Sequence, residues 1–212
     1  MIAPPKIPTH LESADIAMLE SALSIEGVLL PQPKWAGQTA KRLQIESAHL
    51  SSPDLTGANL RDGSWVDVRV GGGELSGLNL AGSVLRRVEI LHARMSGAIF
   101  AETQLRDVVV EDAKLDLANF RFAKLSNVKF SHCMLADADF GTARLENVTF
   151  ESCDLTAADF FGASLHKVDL RGATIASLKG ILGLKGAIVS YDQMIILLPE
   201  LAAALGIDIK KD

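Results

Sequence analysis

The sequence predicts an all-β solenoid: a right-handed quadrilateral parallel β-helix of about 7 coils with short helical caps at both ends. Three observations predict it. Every fifth residue from Ile45 to Ile175 is large and apolar, 27 positions without a slip. With 48% hydrophobic residues in the chain, chance gives such a run with a frequency on the order of 10⁻⁹. Two residues before each of these positions lies a second inward candidate, and 20 of the 27 are Ala, Val or Cys. A period of 20 is superimposed, with Val88, Val108, Val128, Val148 and Val168 in one series and Phe100, Phe120, Phe140 and Phe160 in another.

Neither a helix nor a simple strand repeats every five residues, so each pentapeptide is one short strand and a corner. Four corners close a coil, which places equivalent side chains directly above one another. One large and one small residue per face then fill the lumen. At about 4.8 Å per coil the repeats from 43 to 175 make a rod roughly 32 Å long.

A solenoid leaves unpaired strand edges at both ends, and both flanks read as covers. Thr9-His10-Leu11-Glu12 has the form of a capping box, and the stripe Leu11, Ala14, Met18, Leu19, Ala22 and Leu23 predicts a helix from about 10 to 23. Ile25, Leu30 and Trp35 keep the frame while Pro31, Pro33 and Gln38 spoil the small positions, so 25–42 reads as a degraded first coil. The domain reading is therefore a cap over 1–42, the β-helix over 43–178 and a helical cap over 179–212. In the last of these, Ser190 to Gln193 is a second capping box, opening a helix that Pro199 should kink and Gly206 should end. Ile207 and Ile209 are candidates for a short strand.

Ala58-Asn59-Leu60, Ala118-Asn119-Phe120, Ala138-Asp139-Phe140 and Ala158-Asp159-Phe160 follow an A(D/N)(L/F) pattern. In this the chain resembles the pentapeptide repeat family, over about residues 43 to 175. The resemblance implies the square β-helix and a non-catalytic role. It supplies one mechanism from bacterial members, which bind DNA gyrase as DNA mimics and protect it from quinolones. It also makes the C-terminal helix a candidate homodimer surface.

Composition narrows the classes. With 21 basic and 26 acidic residues the formal charge is −5, which excludes an ordinary nucleic-acid reader. Cys133 and Cys153 are the only cysteines, and without disulfide or zinc-site spacing they fit a reducing cytoplasm. The start lacks the apolar run of a signal peptide, and Met194 to Leu198 is too short to cross a bilayer. The expectation is a cytoplasmic chain that does not engage membranes.

A filled lumen leaves no pocket for catalysis, so no catalytic, cofactor-binding or metal-binding residue is expected. His92 and His132 share a column two coils apart, roughly 10 Å, too far to share one metal. His49, Arg69 and Glu89 form a cross-coil charge ladder. Cys133 and Cys153 stack as lumen residues whose parallel Cβ vectors discourage a disulfide. Gly71-Gly72-Gly73 marks a corner or a bulge.

The outward charges are two-sided. The faces centred on Leu60/Phe160 and Leu55/Leu155 carry nine carboxylates, among them the stacked Asp139 and Asp159, against four cations. The face centred on Leu85/Leu165 carries six cations against four carboxylates. Outward apolar residues Ile99, Leu117 and Phe122, with Phe161 two coils further on, form either a docking patch or ordinary corner packing. The sequence thus points to a scaffold that binds an unidentified protein partner through Ile99, Leu117, Phe122, Phe161, Asp139 and Asp159, with a gyrase-binding DNA mimic as the alternative.

Overall fold

The computed structural model describes residues 2–210. The five-residue frame becomes a column of side chains facing inward: every fifth position from Ile25 to Ile175 is buried, 31 in all. Chain pairing repeats at an interval of 20 residues, so that Gln44 lies beside Ser64, Ser64 beside Val84 and Val84 beside Gln104, all parallel. Each coil has one continuous strand that wraps two faces. These are β4 Gln44–Ser51, β5 Ser64–Gly71, β6 Val84–Leu91, β7 Gln104–Glu111, β8 Lys124–Ser131, β9 Arg144–Glu151 and the shorter β10 Ser164–Asp169. The other two faces contribute single bridges, such as Asp54 to Glu74 and Asn79 to Ile99.

The corners follow one rule. Every fifth residue from Ala22 to Ser177 has a positive φ, and 23 of these positions are not glycine. A left-handed residue turns the chain between faces at a cost, and the continuous ladder and filled lumen hold it there. Gly72 is one such corner. Gly73 adds a second positive φ, and a Cβ there would collide with Pro53 of the preceding coil. The expected corner at the glycine run is therefore present, and its third glycine makes room for a proline below.

The exceptions among the small inward positions compensate one another. Leu43 is tolerated because Gly63 stands above it, where a Cβ would come within 2.7 Å of the Leu43 carbonyl. Ser83 Oγ then accepts from Gly63 N at 2.9 Å, and Thr103 Oγ1 donates to Phe100 O at 2.5 Å. Phe100, Phe120, Phe140 and Phe160 form a stacked ladder with centroids 4.8 to 5.1 Å apart. Phe130 and Phe150 make a second stack, meeting the first edge-on.

The ends correct the expectations. No helix forms over 10–23. Instead β1 Glu12–Ser13 pairs with β3 Val28–Pro31, and the chain stays irregular to Leu23. The reason is non-local: Trp35 Nε1 donates to Ile16 O at 2.6 Å, and Gln38 Oε1 accepts from Leu19 N at 2.8 Å. These bonds hold the backbone extended across the open lumen, with Leu19 buried and Met18 left 75% exposed. The first coil is not degraded either. Strand β2 Ser24–Glu26 and β3 both pair with β4 in register, and Ile25, Leu30 and Trp35 are buried. With this coil and the partial end rungs, the solenoid has about nine turns rather than seven.

At the far end Gly180 terminates the phenylalanine column, since a Cβ there would strike the Phe161 backbone. A 3-10 turn, Ile181–Leu184, leads to β11 Ala187–Ile188 and to helix α1, Tyr191–Ala204. The Ser190–Gln193 capping box forms as expected. Helix α1 runs through Pro199 without a break, because the proline and Ile195, whose carbonyl loses its partner, both face solvent. Gly206 and Ile207 close it, donating to Ala203 O at 3.1 Å and Ala202 O at 2.8 Å. Ile207 and Ile209 form no strand and are exposed. Among the described residues no helix is long and apolar enough to cross a membrane.

Candidate interaction surfaces

With the lumen filled, functional groups are confined to the outer faces, corners and ends. Asp139 and Asp159 are neighbours in register, as the spacing requires. Asp139 accepts from Gly141 N at 2.7 Å and pairs with Arg121 at 3.1 Å. Asp159 accepts from Phe161 N at 2.8 Å and makes no ion pair among the described residues. Lys34 and Lys179, both beyond the repeats counted in the sequence, lie on the same two acidic faces, and Lys179 pairs with Asp137 at 3.2 Å. Arg94 neutralises Glu74. The acidic side is therefore less negative than its sequence count.

The apolar candidates divide into two groups. Leu117 and Phe122 occupy left-handed corners on either side of Asn119 and are 64% and 55% exposed. Ile99, partly buried, bridges Asn119 from the preceding coil. The Arg121 guanidinium lies 5.6 Å from the Phe122 ring centroid and reaches on to Asp139, across the surface of Gly141. This ion pair separates Phe161 from the other three. Phe161 instead lines an open cleft of about 520 Å³ with Ile181, Leu182 and Ala204, beside a second apolar groove between the 3-10 turn and α1.

That C-terminal surface is larger than the side patch, and the sequence reading named its helix as a candidate homodimer surface without naming its residues. Among the described residues, ten of the 16 exposed large hydrophobic side chains lie between Leu182 and Ile209, among them Tyr191, Ile195, Ile196 and Leu198. It was detectable as a short helix too apolar for a solvated cap.

Several titratable groups have structural partners. Asp67, only 5% exposed at a corner, is bound by Arg87 through Nε at 2.6 Å and Nη2 at 2.5 Å, and accepts from Lys6 N at 2.8 Å. The Arg87 hydrogen bonds hold its carboxyl below the usual range. This clamp fixes an N-terminal arm, whose residues Pro5 to Leu11 form one wall of a cleft over Leu29, His49 and Arg69. Burial, and then Arg69, pushes the His49 imidazole below its ordinary value. Arg69 itself meets Glu89 at 2.7 Å, completing the expected ladder.

His92 and His132 both face Asp112, at 3.3 and 3.9 Å, from opposite sides. Among the described residues no three His, Cys, Asp or Glu side chains converge as a metal site. Cys133 and Cys153 are free and buried, and the Cys153 thiol is pushed up by its hydrogen bond with Cys133 and by burial.

A pentapeptide repeat region model matches residues 91–160, and a model of eight pentapeptide repeats matches residues 66–100. No curated protein matches the chain. Among solved structures, a trypsin-treated form of QnrB1, a plasmid-mediated fluoroquinolone resistance protein, is 17% identical over 96% of this chain and 100% of its own, with a TM-score of 0.41. HetL, involved in heterocyst differentiation regulation in the cyanobacterium Nostoc, is 18% identical over 80% of this chain and 90% of its own, with a TM-score of 0.33. A thylakoid-lumen protein of Arabidopsis thaliana is 20% identical over 64% and 69%, with a TM-score of 0.28. The repeat, the corner geometry and the family matches together make residues 66–160 a pentapeptide repeat region.

Proposed function

We propose that the chain is a non-catalytic, protein-binding rod that pairs with a second copy of itself through its C-terminal end. The observation that carries this reading is the concentration of exposed apolar residues on the 3-10 turn and α1, against coils whose outer faces are mostly polar. A helix that buries only Gln193, Leu197 and Ala202 against the rod leaves Ile195, Ile196 and Leu198 to water. A self-complementary apolar end is the arrangement a twofold contact requires. The paired rods would present Ile99, Leu117 and Phe122 twice, as side patches for the partner protein. Size-exclusion chromatography with light scattering tests the pairing, and pull-down with Phe122→Glu tests the patch. A wild-type monomer at micromolar concentration removes the first, and partner capture unaffected by Phe122→Glu removes the second.

The alternative, a DNA mimic bound by gyrase, draws its support from Asp54, Asp154 and Asp159, carboxylates on two adjacent faces that have no cationic partner among the described residues. It predicts protection of gyrase supercoiling from a fluoroquinolone that is lost in Asp154→Lys/Asp159→Lys. An unchanged supercoiling assay at micromolar protein removes this alternative and leaves the rod without a gyrase role.

A further inference from the structure

Several cations on the coils are compensated from rung to rung. Arg69 meets Glu89, Arg87 meets Asp67, Arg121 meets Asp139 and Lys129 meets Glu151. Where Arg94 is stacked on Lys114, each cation has its own carboxylate, Glu74 and Asp116. One face stacks cations without such partners. Outside the inward residues Leu85, Leu105, Leu125 and Leu145, Arg86 is registered on Arg106 and Lys124 on Arg144.

All four of these cations are exposed. Among the described residues Arg86, Lys124 and Arg144 have no ion pair, and Arg106 reaches only Asp107, at 3.7 Å. Glu146, in register with Ser126, and Glu46, two rungs from Arg86, share the face without pairing to them. Like charges directly opposite one another, with backbones about 4.8 Å apart, weaken a sheet. The fold gains nothing from this arrangement, which continues over four rungs, about 14 Å of the rod.

We propose that Arg86, Arg106, Lys124 and Arg144 form a docking stripe for an acidic segment of another protein. Carboxylates repeat about every 6 Å along one face of a helix and about every 6.7 Å on one side of a strand. Long Arg and Lys side chains on a rigid face span either spacing. Nucleic acid fits less well. The chain is net negative, and no aromatic ring is in register with any of the four cations to stack a base. The inference rests on the reading of the chain as a protein-binding rod, but it uses a different surface from the C-terminal end.

The test is fluorescence anisotropy with labelled decaglutamate at low salt. Binding should saturate, weaken as salt rises, and fall about tenfold in Arg106→Gln/Lys124→Gln. The compensated pair provides the control: Arg94→Gln/Lys114→Gln should bind within about twofold of wild type. Arg106→Gln/Lys124→Gln should melt no lower than wild type, since it relieves like-charge contacts, and this separates lost binding from lost folding. Absence of peptide binding, equal weakening in both double variants, or tighter binding of a DNA duplex or phosphatidylserine vesicles through the same residues would overturn the proposal. Oligomeric state, which tests the end-to-end pairing, does not enter this readout.

Discussion

The two ends of the rod face the same physical problem and resolve it differently. Each must cover an open lumen and a strand edge with no next coil. At the N-terminal end the cover is an irregular chain held by side chains that reach back from the first coil, Trp35 and Gln38. At the C-terminal end it is a helix held by one side chain that reaches into the last coil. Gln193 Nε2 donates to Leu170 O at 2.7 Å and Ala173 O at 2.8 Å while its carbonyl oxygen caps the helix. In both cases a glutamine carboxamide replaces the missing strand partners. The outer surfaces differ: the N-terminal end finishes in prolines and charged residues, the C-terminal end in isoleucines and leucines. One end is sealed, and the other leaves apolar side chains exposed.

This contrast can be broken most severely at Trp35, which is fully buried and hydrogen-bonded to Ile16 in the N-terminal cover. Trp35→Ala should cost about 3–5 kcal/mol in urea unfolding, while Tyr191→Ala, at 81% exposure on the other end, should change stability by about 0.5 kcal/mol or less. The two glutamines come next. Gln193→Ala, which leaves the Ala173 carbonyl without a donor, takes one of two donors from the Leu170 carbonyl and removes half of the capping box, should cost about 2–3 kcal/mol, and the more exposed Gln38→Ala about 1 kcal/mol.

The two tryptophans sharpen the comparison. The Trp65 indole N–H is buried without an acceptor, whereas that of Trp35 has one. Trp35→Phe should therefore be the more costly by about 1–2 kcal/mol.

Smaller effects come from the arm. Arg87 holds the Asp67 carboxyl below its ordinary value, so the clamp contributes fully above the unfolded carboxylate value of about 4 and is lost as pH falls through the folded one. Asp67→Asn should remove this acid-sensitive component of the melting temperature and free residues 2–8 to limited proteolysis. His49 gives the smallest effect, with the opposite charge. Its folded value is lowered, so the unfolded chain binds the proton better, and stability should begin to fall as pH drops below about 6.5. His49→Gln should flatten that slope.

What could be read in the sequence was what repeats. A lumen that needs one large residue per face imposes period five, and Leu145 or Phe120 is legible for that reason alone. The left-handed corners were not, because residues as different as Arg42, Leu117, Phe122 and Thr142 adopt them under the constraint of the neighbouring rungs rather than by their own preference. The Ser190–Gln193 box was legible because its partners are three residues apart. The N-terminal cover was not, because Trp35 and Gln38 act across 19 residues and override a local helical pattern. The charge balance was legible only within the repeat frame, so Lys34 and Lys179 escaped it. For the same reason the sequence placed Phe161 with Phe122, whereas the closing turn at Gly180 puts Leu182 beside it.

The central claim is that the apolar C-terminal end is an interface. Light scattering on the eluting protein measures this directly, comparing wild type with Ile195→Glu/Leu198→Glu, two exposed changes that leave the buried face of α1 untouched. The account predicts a wild-type mass twice that of the 22.6 kDa chain and a single-chain mass for the variant with its melting curve retained. A wild type that runs as a single chain at micromolar concentration, or a variant that stays paired, would contradict it.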